Sequence, residues 1–209
     1  MSSRYKNGEN IKSCIILCGG QSRRMGQDKG SMIIRGKPMI KHILSTLNHQ
    51  IDEAIIVLND SNRIARYGEF INPDDYSYRM EFAEDKIKNK GPMPGIMTGL
   101  ELISGDYALI MPCDSPYISK SYIETIFKEI DDGCQAVVPY HDEDNMLKTS
   151  EPLHSIYRRD VVGEIEKLIS GDVLHIKGLI EKIDAKFVLI DDKKIEKKEF
   201  RNLNRPEDI

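Results

Sequence analysis

Up to residue 140, short apolar runs alternate with amphipathic stretches. Residues 13–18 form an apolar run after the first serine and predict a buried strand. Across 38–49, apolar residues recur at Met39, Ile40, Ile43, Leu44 and Leu47, the stripe of a helix. Residues 53–58 predict a second strand, 61–67 a short helix capped by Ser61, and 79–83 a third strand. Residues 94–103 predict a helix stopped near Gly105, then 107–111 a fourth strand, 119–130 a helix capped by Ser119, and 135–139 a fifth strand. Strands that are apolar throughout, separated by helices, predict an α/β fold with a mainly parallel sheet covered on both faces.

Beyond residue 140 the pattern changes. Residues 141–150 are polar and predict an exposed loop; 153–157 predict a strand, 160–170 and 173–183 helices, 186–190 a last strand, and 191–199 an exposed charged segment. No internal repeat or low-complexity stretch divides the chain. The expectation is a single domain over 1–209, with 141–209 as a C-terminal part packed on the sheet of 1–140.

Right-handed crossovers place the ends of parallel strands on one edge, where ligands of open α/β sheets bind. The residues just past the predicted strands are Gly19-Gly20, Asn59-Asp60, Glu84-Asp85 and Pro112-Cys113-Asp114. The first of these opens a loop, Leu17-Cys18-Gly19-Gly20-Gln21-Ser22-Arg23-Arg24-Met25-Gly26-Gln27-Asp28-Lys29-Gly30, rich in glycine and cationic side chains. Glycine lets backbone N–H groups approach an anion, and Arg and Lys neutralise phosphate charge. The spacing is neither the Gly-x-x-x-x-Gly-Lys-Ser/Thr loop nor the Gly-x-Gly-x-x-Gly fingerprint. It predicts a polyphosphate cradle of another kind, with Lys29 and Arg24 as charge partners.

Asp114, held between Pro112 and Pro116 at a strand end, suits a hard cation such as Mg²⁺ that shares phosphate oxygens. Asp85, before the turn Gly91-Pro92-Met93-Pro94-Gly95, can accept from the N1–H and N2–H₂ of a guanine, with Asn59 at the same pocket. Protein nucleophiles are poorly supported: Ser22 lacks a Gly-x-Ser-x-Gly elbow, and His154 and His175 have no metal-spaced partner.

Composition narrows the choice. A net charge of −4 gives no general basic field, so nucleic acid is not an expected partner. No apolar run approaches a membrane span, and residues 1–12 are polar, unlike a secretory signal; a cytoplasmic protein is expected. The four cysteines, 14, 18, 113 and 134, form no Cys-x-x-Cys pair and read as small core thiols.

Leu17-Cys18-Gly19-Gly20, Arg24-Met25-Gly26 and Asp28-Lys29 together resemble the Leu-Ala-Gly-Gly-x-x-x-Arg-Met-Gly-x-x-Asp-Lys signature of nucleotidyltransferases. Gly36-Lys37-Pro38, Gly91-Pro92-Met93-Pro94-Gly95, Pro112-Cys113-Asp114-Ser115-Pro116-Tyr117 and Asn202-Leu203-Asn204-Arg205-Pro206-Glu207 follow in order. The set is similar to the molybdenum cofactor guanylyltransferase (MobA) family. That resemblance implies a Rossmann-like three-layer sandwich of the nucleotide-diphospho-sugar transferase type. The implied activity is transfer of GMP from GTP to the phosphate of Mo-molybdopterin, with release of pyrophosphate. It also implies backbone contacts to nucleotide from Leu17, Cys18 and Gly19, beside Gly20. Lys29 would lie on phosphate, Asn59 and Asp85 on GTP, and Asp114 on Mg²⁺, with Asn202 and Asn204 lining the acceptor side. Arg24 is added from its charge and position as a clamp on the departing pyrophosphate. Transient contact with molybdoenzymes or cofactor-insertion proteins is a further expectation. Cys18 and Pro94 stand where the family pattern has alanine, and Arg205 where it has threonine. A cytidylyltransferase for the same cofactor, a sugar- or polyol-phosphate nucleotidylyltransferase, and a non-catalytic nucleotide or cofactor carrier are the alternatives.

Overall fold

The computed structural model describes residues 11–19, 28–88, 90–190, 195 and 197–203. Nine strands are described: β1 (Ser13–Leu17), β2 (Ile33–Ile34), β3 (Lys37–Pro38), β4 (Glu53–Leu58), β5 (Arg79–Glu84), β6 (Tyr107–Pro112), β7 (Ala136–Tyr140), β8 (Ile156–Arg158) and β9 (Ala185–Leu189). The α-helices are α1 (Met39–Leu47), α2 (Ser61–Phe70), α3 (Met93–Leu102), α4 (Lys120–Lys128), α5 (Val162–Ser170) and α6 (Ile176–Ile180). Seven strands form one sheet in the order β5-β4-β1-β6-β8-β7-β9, while β2 and β3 make a separate hairpin. The sheet is mainly parallel: only β8 runs against its neighbours β6 and β7.

Strands β1, β4 and β6 are buried almost throughout because both faces carry helices. One layer packs Ile40, Tyr67 and Tyr122 of α1, α2 and α4 on Cys14, Ile16 and Ile56. The other packs Ile96, Ile165 and Leu179 of α3, α5 and α6 on Ile15, Ile55 and Ile110. The alternation of strand residues between the two faces follows the two-residue repeat of a strand. Ser119 caps α4 as expected, its hydroxyl accepting from the Tyr122 N–H at 3.1 Å.

Several expectations are corrected. The cap of α2 is Asp60, not Ser61: its carboxylate accepts from the Arg63 N–H at 2.9 Å, and an anion suits a helix N-terminus. Gly105 does not stop α3, which ends at Leu102 with Ile103 extended; the Ile11 carbonyl lies where a Cβ on Gly105 would sit. The predicted strand over 153–157 divides into a 3₁₀ turn, Pro152–His154, and the antiparallel β8. The helix over 173–183 shortens to α6, with His175 as its cap. Within 191–199, Ile195 and Glu199 are buried rather than exposed. The β2–β3 hairpin was not read from the sequence. Its turn residues, Arg35 and Gly36, have φ of 47° and 79°, as a two-residue hairpin turn with two left-handed positions demands.

Candidate active site

The ends of β5, β4, β1 and β6 lie flush. Leu17 is in register with Val57 and Pro112, and Leu58 with Glu84. The backbone ladder runs one step further, with Cys18 N–H donating to Val57 O at 2.8 Å, Cys113 N–H to Leu17 O at 3.1 Å and Asp85 N–H to Leu58 O at 2.7 Å. Asp85, Asn59, Cys18-Gly19 and Asp114 therefore stand in that order along one rim. Their span is about 14 Å, three strand spacings. β1 connects through α1 to β4 on one side, whereas β5 crosses through α3 to β6 on the other. The crevice between β1 and β6 is thus the topological switch point at which such sheets bind ligands.

At that crevice Lys29 Nζ lies 2.8 Å from Asp114 Oδ2, with both side chains partly shielded from water. Lys29 begins a one-turn 3₁₀ helix, Lys29–Ser31, capped by Asp28. Gly30 fits because its Cβ position is filled by the Tyr67 hydroxyl, and Gly19 because Asn59 Oδ1 lies 2.6 Å from where a Cβ would be. Among the described residues, no group of three or more His, Cys, Asp or Glu could hold a metal unaided. One aspartate past a strand end, beside Lys29, fits Mg²⁺, which takes one or two carboxylates and completes its shell with phosphate oxygens and water. Cys14, Cys18 and Cys113 are buried free thiols. Burial pushes Cys14 and Cys18 above the ordinary thiol range, and Cys113 beside Cys18 adds to the shift of Cys18.

On the other flank Asp85 is 8% exposed and accepts the Ile87 N–H at 3.0 Å. Burial raises its carboxyl above the ordinary range, opposed by that bond and by Lys88. Gly95 at the first turn of α3 packs close to this carboxylate: a Cβ there would lie 3.7 Å from Asp85 Oδ2 and 3.1 Å from Leu17 Cδ2. Gly91 has φ of +75°, where a side chain is strained. Lys88 reaches the Asn59 carbonyl and pairs with Glu84 at 2.7 Å. Asn59 thus meets the rim through both its side chain and its carbonyl.

The C-terminal segment returns to the same place. Ser115 Oγ donates to Asn202 Oδ1 at 2.6 Å and Leu203 N–H donates to Asp114 O at 2.8 Å. Glu199 accepts the Ser119 N–H at 2.9 Å, and Phe200 stacks edge-on against Tyr122, His141 and His154.

Of the sequence-predicted residues, the structure brings Leu17, Cys18, Gly19, Lys29, Asn59, Asp85, Asp114 and Asn202 to one rim. Gly20, Arg24, Asn204 and Arg205 lie outside the described residues. His154 is packed in the core and His175 caps α6. Sequence reasoning missed Arg63, Tyr67 and Ser115. Arg63 and Tyr67 are one turn apart on a short helix, a signal of a shared face but not of what that face meets.

The model of the MobA-like NTP transferase domain matches residues 14–186. A probable molybdenum cofactor guanylyltransferase from Methanothermobacter thermautotrophicus is 34% identical over 202 residues, covering 95% of this chain and 98% of the relative. The molybdenum cofactor guanylyltransferase of Aliivibrio fischeri is 28% identical, covering 94% and 93%. Among solved structures, molybdopterin-guanine dinucleotide biosynthesis protein A from Archaeoglobus fulgidus superposes with a TM-score of 0.74 at 24% identity, over 95% of this chain and 94% of that one. The likeness in fold extends to 4-diphosphocytidyl-2C-methyl-D-erythritol synthase from Anaerococcus prevotii, with a TM-score of 0.71 at 16% identity, over 96% and 93%. By its sequence, the chain belongs to the MobA-like NTP transferase family, among relatives named molybdenum cofactor guanylyltransferase.

Proposed function

We propose that this protein transfers GMP from GTP to the terminal phosphate of Mo-molybdopterin and releases pyrophosphate. An acceptor phosphate oxygen attacks the α-phosphorus, a new P–O bond forms, and the bond to the β-phosphate oxygen breaks. Positioning and charge neutralisation carry such a reaction, with no protein nucleophile. The Cys18-Gly19 backbone seats the triphosphate, with Leu17 and Gly20 beside it. Lys29 neutralises phosphate charge and Arg24 clamps the pyrophosphate. Asp85 and Asn59 hold the guanine nucleoside. Asp114 holds Mg²⁺, which when bound supplies a Lewis acid for the phosphate oxygens.

Residues 1–140 form the nucleotide part of this single domain, and 141–209 the acceptor part, with Asn202 and Asn204 on the acceptor side. What carries the reading is the meeting of Lys29 and Asp114 across the β1–β6 switch point, with a buried carboxylate three strands away for the base. No helix of the described residues is long and apolar enough to cross a membrane, and the buried free cysteines fit a cytoplasmic site of action. Molybdoenzymes or cofactor-insertion proteins would receive the product in transient contact.

The test is pyrophosphate release with Mo-molybdopterin, Mg²⁺ and either GTP or CTP. Turnover with GTP in preference to CTP supports the reading. Turnover with CTP alone makes the protein a cytidylyltransferase, and GTP binding without turnover makes it a carrier.

A further inference from the structure

Cys18 and Asp28, ten residues apart, meet on one side chain from α2. Arg63, in the first turn of α2, donates from one guanidinium nitrogen to Cys18 O at 3.1 Å and pairs through the other with Asp28 Oδ1 at 3.0 Å. Its backbone is fixed by the Asp60 cap. One turn later Tyr67 donates its hydroxyl to the same Asp28 oxygen at 3.0 Å. The Asp28 side chain is 4% exposed and that of Arg63 16%, so the pair is largely withdrawn from water. Asp28 in turn caps the 3₁₀ turn that carries Lys29, accepting the Gly30 N–H at 3.3 Å, and Lys29 reaches Asp114. A chain of contacts runs from α2 to the Lys29–Asp114 pair.

We propose that Arg63 is a positioning residue for the turn that carries Lys29: it ties the Cys18 carbonyl to the Asp28 carboxylate, and so sets where Lys29 stands. It acts through Asp28 and touches no substrate. The planar fork suits this task, because two nitrogens at fixed separation hold two acceptors at fixed separation, which a lysine ammonium does not. The inference rests on the nucleotide-binding reading but not on which base is bound, so inorganic pyrophosphate can test it.

The full chain is made as wild type, Arg63→Met and Arg63→Lys, and each is titrated with magnesium pyrophosphate and with Mg-GTP; melting temperatures report folding. Arg63→Met is expected to weaken both ligands at least about tenfold while remaining folded, the loss of a charge-assisted pair. Arg63→Lys is expected to recover part of the loss. In the transferase assay the KM for GTP should rise while the KM for the pterin acceptor stays close to wild type. Folded Arg63→Met that binds both ligands as wild type does, or a rise in both KM values by the same factor, overturns the proposal. Should Arg63→Met fail to fold, Arg63→Lys decides: binding equal to wild type overturns the proposal, and weaker binding by a folded protein supports it. Wild-type protein that binds pyrophosphate but not GTP would sink the guanylyltransferase reading and leave this inference standing.

Discussion

The Lys29 ammonium lies against the Asp114 carboxylate at 2.8 Å, so the cation expected on phosphate and the anion expected on metal neutralise one another. On the proposed reading, binding of Mg-nucleotide should separate them, since each would gain a partner of opposite charge. Lys29→Ala and Asp114→Ala should each lower turnover at least about a hundredfold, as removal of a preorganised charge partner does. The double variant should lose less than the product of the two, because contacting residues are not additive. Pyrophosphate release measured on all three proteins checks this, and a fully multiplicative loss would contradict the coupling.

Asp85 has a cost in stability. Its folded carboxyl is raised above the ordinary value by burial, so ionisation opposes folding as pH climbs through the unfolded value towards the folded one. Asp85→Asn, which can still accept the Ile87 N–H, should melt higher than wild type at pH 7, and the gain should vanish on acidification below the carboxylate range. The same variant should discriminate GTP from CTP less well. Thermal melts across pH and competition binding at pH 7 read the two effects separately.

Glu53 has the opposite sign. Burial alone would raise it, but bonds from Ser13 Oγ at 2.7 Å, from the Ser104 and Gly105 N–H groups and from Arg79 at 2.8 Å outweigh that and hold it below the ordinary value. Its contribution is present above the unfolded value and lost as pH falls through the folded one. Glu53→Gln should destabilise the protein by about 2–3 kcal/mol at neutral pH, the worth of hydrogen bonds to a charged group. It begins β4, at the strand end away from the rim, so kcat should hold. Urea denaturation at pH 7 gives the first quantity and the transferase assay the second.

On the acceptor side, Asn202→Ala removes the acceptor of the Ser115 hydroxyl. The KM for the pterin substrate should rise by about tenfold, near the upper end for one neutral hydrogen bond, while GTP binding changes little. Equal effects on the two substrates would place Asn202 elsewhere in the reaction.

The part up to residue 140 was legible because the interiors of β1, β4 and β6 are apolar and the strands stop at polar or glycine residues. Ser13, Glu53, Arg79 and Tyr107 start strands where the apolar pattern says they should. Asp114 and Lys29 could be paired from the sequence only through a motif. The direction of β8 was not legible, since Ile156, Tyr157 and Arg158 look alike read either way. Nor was the burial of Glu199 and Phe200, which depends on Ser119, Tyr122 and two histidines distant in sequence. Arg35 at a left-handed turn position hides the hairpin, because arginine gives no hint of such a backbone. Arg63 was invisible for a simpler reason: an exposed-looking cation on a polar helix is the commonest thing a helix carries.

The reversed strand β8 has a mechanical consequence. It meets β6 over three register pairs, Tyr107↔Arg158, Ala108↔Tyr157 and Leu109↔Ile156, and meets β7 over two. By contrast, β4 and β5 share six pairs. The ladder through β8 is a short seam within the sheet, and amide protons beside it should exchange with solvent before those of β1 and β4 do. On the proposed reading, a lineage could therefore refit the strands beyond that seam to a different acceptor while leaving the rim of β1 and β6 as it was.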